Sequence, residues 1–380
     1  MNIIKETAPH IRRKDSLTRM LLDVVIALIP VVVMAYVAYG WAAFRNFAVS
    51  IATMMASEFV FVLIMNRIPY DGTKHTLKEQ FLHGCKAYRP HHALAPLVSA
   101  MIFALIMPPD SNPGYVIYLA LVFGSLFGMI IGKFVFGGTG NNIFNPAAAG
   151  MVFAKLCFGS KYVYTTNNYV SAVESGGTVL SNLTNTSTSL VGRYASIGDI
   201  SVFDMFFGRI PGTIGEGFKV AILIGLVYLL IRRAADYRVL LSFGLGYVGL
   251  MALAGIFVVT KVPGVDYGHF LLFQLLTGGV MFGAVYMLTD PVTMPINAPG
   301  RVMYGLLAAG LTVTIRLFGA LPEGMAFSIL ICNLVAPALD HYTYSGNRFT
   351  PKKIAVIAGM AAVFILAVCL GLGFQEGVTL

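Results

Sequence analysis

Charge is scarce in this sequence. Asp, Glu, Lys and Arg make up 11% of the 380 residues, where a soluble domain carries about 25%. That scarcity excludes an ordinary soluble globule. Cysteine is nearly absent too. Cys85, Cys157, Cys332 and Cys369 are scattered, with no CxxC spacing, which excludes a disulfide framework and an iron–sulfur or zinc site built from this chain alone. They read as small residues in helix packing. The segment Met1 to Arg19 lacks the short apolar core and small-residue cleavage site of a signal peptide. No nucleophile–base pair, paired carboxylates or nucleotide-binding unit is legible. Gly137-Gly-Thr-Gly140 is followed by no Lys-Ser/Thr, and no strand precedes it. Any redox work would therefore fall to a bound cofactor.

What fills the sequence is apolar: 57% hydrophobic residues, with a mean hydropathy of +0.78. The runs are about 15–25 residues long, which fits membrane-spanning helices and not the alternating strands of a barrel. The net charge of +9 reads as basic loops on one side of a membrane, not as a nucleic-acid surface. Eleven runs are predicted: 20–39, 47–65, 93–107, 115–135, 147–158, 218–231, 239–260, 270–289, 302–321, 326–339 and 354–374. With the N-terminus in the cytoplasm, 18 of the 26 Lys and Arg fall inside. The C-terminus then lies outside, and so does the long polar connection 159–217.

Met101, Ala104, Met107 and Asp110 recur 180 residues later as Met281, Ala284, Met287 and Asp290. The two segments run in opposite directions in this topology, as in an inverted repeat. The expected fold is an all-α polytopic membrane protein, five plus five helices with one extra C-terminal helix. Its parts are a cytoplasmic arm (1–19), a first repeat (20–158), an outer polar loop (159–217), a second repeat (218–340), and a basic loop with the additional helix (341–380).

Ionisable residues inside apolar runs are functional candidates by default. Glu58 and Arg316 lie within runs, while Asp23 and Asp340 lie near the inner ends of theirs. Glu58 is suited to binding a cation or passing a proton. Arg316 is expected either to attract an anion or to snorkel to the interface. His91 and His92 are adjacent, so their rings do not share a helix face and no metal site is expected. The polar loop holds Ser175-Gly-Gly-Thr178 within a Ser/Thr/Asn-rich run. Long loops of this kind are linkers or functional segments. A transporter or channel for a small solute fits the same architecture, as does a scaffold without redox duty.

Several motifs, taken together and in order, resemble one family. They are Pro9-His10-Ile11-Arg12, Phe103-Ala-Leu-Ile-Met-Pro-Pro109, Phe136-Gly-Gly-Thr-Gly140 with Asn145-Pro146, Pro211-Gly-Thr-Ile-Gly-Glu216, Thr289-Asp-Pro291, and Asn333-Leu-Val-Ala-Pro337 with Asp340. The chain is similar to the family of the D subunit of the Rnf electron-transport complex and the B subunit of the sodium-pumping NADH:quinone reductase. The resemblance implies FMN joined through its phosphate to the Thr178 hydroxyl, with Ser175, Gly176 and Gly177 preceding it. Arg209, Gly212 and Thr213 join the cofactor-binding candidates, and Glu58, Glu216, Asp290 and Asp340 are candidates for ion coupling. The short arm before the first run points to the D subunit. That implies electron relay between ferredoxin and NAD coupled to Na+ or H+ movement in a prokaryotic inner membrane. Implied partners are an outer-face FMN subunit and iron–sulfur-bearing membrane subunits, with no nucleic acid.

Overall fold

A computed structural model describes residues 17–68, 76–110, 114–159, 180, 194, 197, 200–262, 264–319, 323–343 and 347–377, with the backbone alone at 77 and 375–377. Among these residues there are helices and no strand. The helices are α1 (Leu17–Tyr39), α2 (Trp41–Met65), α3 (Leu77–Ala87), α4 (Pro90–Ile106), α5 (Tyr115–Gly132), α6 (Pro146–Phe158), α7 (Val202–Phe207), α8 (Lys219–Arg232), α9 (Tyr237–Lys261), α10 (Tyr267–Leu276), α11 (Val280–Tyr286), α12 (Ala298–Phe318), α13 (Met325–Thr343) and α14 (Pro351–Gly377).

Every predicted run is helical, but not every run is a full span. Among the described residues seven helices are long and apolar enough to cross a membrane, or nine if each of two bent pairs makes one span. The third predicted run, α4, follows α3 at a 75° bend. The eighth is broken into α10 and α11, which meet at 48°. Polar Thr277 and glycines 278 and 279 sit at that break. The fifth and sixth runs, α6 and α8, have 13 and 14 residues. At 1.5 Å per residue each is about 20 Å long, short of a ~30 Å hydrocarbon core. By length and apolarity alone, seven to nine of the eleven runs meet the measure of a full span among the described residues.

The packing repeats as the 180-residue offset predicts. α2 lies against α5, and α9 against α12. α5 packs on α6 as α12 packs on α13, and α1 on α4 as α8 on α11. α4 and α11 in turn touch α6 and α13. The two halves meet through the matched pairs α1·α8 and α6·α13. Close approach of α5 and α6 depends on Gly124, Gly128 and Gly132, four apart on one face. A Cβ on Gly128 would come within 2.2 Å of the Pro146 carbonyl oxygen, so only glycine admits this crossing. Asn145 starts α6 by accepting from the Ala147 and Ala148 amides (3.0 and 3.2 Å), with Pro146 in the first turn.

The turn after α4 is fastened to α2. The Arg45 guanidinium donates to the Asp110 carbonyl at 2.6 Å, and the Asn46 amide to the Pro108 carbonyl at 3.1 Å. At the α1·α8 seam, Asp23 accepts from the Tyr228 hydroxyl (3.0 Å) and Arg232 (3.1 Å). α14 stands apart: only 6% of its apolar window is buried within the chain. Its Phe364 ring fills the space beside Gly310 of α12.

Candidate functional site: two buried charge clusters and a cavity

The first cluster forms where α2, α4 and the end of α5 converge. Glu58 is fully buried. Its carboxylate pairs with Lys133 at 2.7 Å, contacts His92 Nδ1 at 3.1 Å, and accepts from the Thr139 hydroxyl at 2.9 Å. Lys133 is 3% exposed and His92 21%, so the carboxylate reaches the surface through the imidazole. A buried ion pair is tolerated when its remaining lone pairs are hydrogen-bonded; Thr139 and His92 do this for Oε1, while Oε2 and the Lys133 ammonium have each other as their contact among the described residues. Hydropathy reading singled out Glu58 but missed Lys133, which follows the last turn of α5 and looks like an ordinary helix-end cation.

Lys133 and Thr139 also line a cavity of about 870 Å³, mouth included, between the two halves. Apolar residues of α1 and α4 form its walls, and Asn142, Asn145 and Asp290 supply polar groups. The Asp290 carboxylate accepts from the Val292 amide at 3.1 Å. Asp340 is not part of this cavity's lining; it fastens the following turn by accepting from the Ile296 amide at 2.8 Å. The four ion-coupling candidates are thus dispersed. Asp290 lines the cavity, Glu58 stands behind its Lys133 and Thr139, Glu216 belongs to a second cluster, and Asp340 serves a turn.

The second cluster is built on residues 208–218. This stretch belongs to the predicted polar loop, yet it is largely buried. Gly215 donates its amide to the Leu105 carbonyl at 2.7 Å, which lays the segment along the end of α4. Thr213 and Glu216 are 1% and 4% exposed. Lys155 of α6 pairs with Glu323 at 2.6 Å. Lys219 donates to the Glu216 backbone carbonyl. Glu216 is pushed up to about 7, first by burial and then by the negative charge of Glu323, with Lys219 opposing.

Arg316 completes this cluster, and it does not snorkel. It is 2% exposed. Its guanidinium donates to the Tyr247 hydroxyl (2.5 Å) and to the Gln274 and Thr277 carbonyls (2.7 and 2.6 Å). Gln274 is in the last turn of α10 and Thr277 caps it, where the break before α11 leaves carbonyls without helical donors. No carboxylate among the described residues lies within ion-pair distance of Arg316. Its Nε, the Glu216 Oε2 and the Thr213 hydroxyl are buried without a hydrogen-bond partner among the described residues.

A smaller recess joins these groups. Leu180, Pro211, Gly212, Glu216, Lys219, Thr277 and Gly278 line it. Gly278 has φ +66°, and a Cβ there would meet Leu180 at 2.6 Å and Arg316 at 2.8 Å. Ser175, Gly176, Gly177 and Thr178 lie outside the described residues. Leu180, two positions further along, is buried. Of the remaining candidates, Gly212 lines the recess and Thr213 lies beside it. Arg209 is 62% exposed and faces Asp204 at 3.8 Å, so it is set apart from the buried charges. Sequence reading missed Lys219, Lys155 and Glu323, because each stands at a helix end where charge is commonplace. Among the described residues no group of three His, Cys, Asp or Glu could hold a metal ion.

A profile of the NQR2, RnfD, RnfE family matches residues 4–348. Among curated relatives, the B subunit of the Na(+)-translocating NADH-quinone reductase of Chromohalobacter salexigens is 35% identical over 66% of this chain and 58% of its own length. The corresponding protein of Ectopseudomonas mendocina is 30% identical over 90% of this chain and 88% of its own. That of Stutzerimonas stutzeri is 29% identical over the same shares. On a match that runs through both repeats and the segment between them, the chain belongs to the NQR2, RnfD, RnfE family.

Proposed function

We propose that the chain is the membrane subunit of an ion-translocating oxidoreductase complex, relaying electrons through FMN esterified to Thr178. In the finer reading it is the D subunit of an Rnf complex in a prokaryotic inner membrane. Electrons pass between ferredoxin and NAD, coupled to Na+ or H+ movement. Its partners are an outer-face FMN subunit and iron–sulfur-bearing membrane subunits. Family membership supports the complex.

The observation that carries the cofactor reading is the recess beside Leu180. It is lined by buried Lys219 and by Gly278, a glycine with no room for a side chain beside the Arg316 guanidinium, close in sequence to a threonine flanked by small residues. These residues fit a phosphoester. A flavin transferase using FAD would join the Thr178 oxygen to the flavin-side phosphorus, with AMP as leaving group and the hydroxyl proton lost to solvent. Bound flavin supplies one- and two-electron transfer. The chain holds it and excludes water, while Glu216 exchanges a proton or cation. Glu58, Asp290 and Asp340 remain the other coupling candidates.

Denaturing electrophoresis under ultraviolet light tests the cofactor. Fluorescence stays on the wild-type band and vanishes in Thr178→Ala, which still inserts in the membrane. A wild-type mass equal to the bare chain sinks the reading. A second reading, in which the chain is the B subunit of a sodium-pumping NADH:quinone reductase, is favoured by the names of the relatives. Copurification with ferredoxin-oxidising activity decides for the D subunit, and with quinone reduction for the B subunit.

A further inference from the structure

α3 is too short and too polar to cross a membrane. In 11 residues it carries Lys78, Glu79, Gln80, His83 and Lys86. It is nonetheless a firmly started helix. The Glu79 amide donates to the Thr76 hydroxyl at 3.3 Å, and the Thr76 amide donates back to the Glu79 carboxylate at 2.9 Å. α4, which packs among α1, α2 and α6, meets α3 at a 75° bend. A helix turned that far from a spanning neighbour lies near the membrane plane, at the level where α2 leaves the hydrocarbon.

The two sides of α3 differ. Gly84 faces α2, where a Cβ would meet Leu63 at 2.6 Å. Phe59 of α2 holds the Phe81 and Tyr88 rings edge-on, with centroids 6.3 and 5.7 Å away. Away from that seam, Lys78, Leu82 and Lys86 recur every four residues and so share a face. All three are exposed, and Phe81 beside them is half-exposed. Arg89 just past the helix and Arg67 at the end of α2 are exposed as well. None of these four cations has a carboxylate within ion-pair distance among the described residues. The acid of α3, Glu79, is occupied in its own cap. Residues 66–89 carry five Lys or Arg and two Asp or Glu, a surplus of three positive charges.

We propose that α3 docks on the membrane surface, with Phe81 and Leu82 among the acyl chains and Arg67, Lys78, Lys86 and Arg89 on the phosphates of anionic phospholipids. Apolar side chains interleaved with cations suit a helix lying in the interface. Lysine stems run along apolar surface while their ammonium groups reach the headgroups. The inner end of α2 is itself lipid-facing, since Val60, Ile64 and Met65 are half or more exposed. An acidic protein would satisfy the cations but leave Phe81 and Leu82 in water; an anionic bilayer takes up both. The predicted topology puts this connection on the cytoplasmic side, where anionic lipid attracts basic segments beside spans. A docked α3 also holds the start of α4, and with it the contact of His92 with Glu58.

The experiment places the full chain in nanodiscs of phosphatidylcholine alone or of phosphatidylcholine with phosphatidylglycerol, and reads deuterium exchange at the amides of α3. Exchange is expected to be at least about threefold slower in the anionic discs. The difference should vanish in about 1 M NaCl, where the Debye length shrinks to ~3 Å. The variant Lys78→Gln/Lys86→Gln/Arg89→Gln should match the wild type in phosphatidylcholine and show no response to phosphatidylglycerol. Lys78→Gln/Lys86→Gln serves if that variant does not fold, and the salt titration needs no variant. Equal exchange of the wild type in the two discs overturns the proposal, as does a lipid response that survives removal of the cations. Slowing that appears only when other subunits copurify, whatever the lipid, assigns the face to a protein and overturns it too.

Discussion

Glu58 and Lys133 neutralise each other with both side chains almost fully buried. Removing one partner from such a pair strands the other charge and destabilises by about 3–5 kcal/mol. Glu58→Ala is therefore expected to lower the unfolding midpoint sharply. Glu58→Gln with Lys133→Met, which removes both charges, should recover most of the loss. An additive double variant would argue that the two do not act as a pair. Glu216 makes a second prediction at this scale. Its folded value of about 7 exceeds the ordinary 4.5, so the folded state holds the proton more tightly than the unfolded one. The stabilisation is full below about pH 4.5 and is lost as pH rises towards 7. Glu216→Gln should flatten the pH dependence of the unfolding midpoint across that window; an unchanged slope would count against burial as the cause. How far these sites are legible in the sequence depends on the residue. Glu58 announces itself as a carboxylate inside an apolar run. Arg316 does not, because what holds it are backbone carbonyls at the end of α10, and carbonyls leave no mark on hydropathy.

Among the helices, small residues decide where backbones meet. Gly124, Gly128 and Gly132 give α5 a groove for α6. Gly128→Leu is predicted to push α6 away, lower stability by about 2 kcal/mol or more, and expose the Glu58 pair carried near the end of α5. Measured proteolysis of the variant in detergent should rise, and a melting point within a degree of the wild type would refute the close contact. Helix existence was legible from run length alone. Helix breaks were not: the run 270–289 reads as one span, since Thr277, Gly278 and Gly279 barely lower its mean hydropathy. The burial of 208–218 was hidden for the opposite reason. Its Gly, Pro and Thr look like surface turn, but they are buried against α4 through backbone hydrogen bonds.

At the scale of the whole molecule, the 180-residue echo announced the architecture, and the matched helix pairs follow it. Four identities sufficed because they mark the same spot in each half, the turn that closes α4 and α11. Sidedness gives the prediction for this scale. The distribution of basic loops predicts the N-terminus inside and the C-terminus outside. A periplasmic reporter such as alkaline phosphatase is therefore expected to be active when fused after residue 380 and inactive at the N-terminus. Activity at both ends would require an even number of crossings and would remove α6 from the count.

The short α6 has an electrical consequence. A helix of 13 residues bridges about 20 Å of a ~30 Å insulating layer. If solvent fills the remainder, the membrane voltage falls across the shorter path, and the local field is about half as strong again. Moving one elementary charge through the full potential is worth about 2.3 kcal/mol per 100 mV. With the drop compressed beside α6, a charge on that helix, such as Lys155, sits in a steeper field than the same charge on a full-length span.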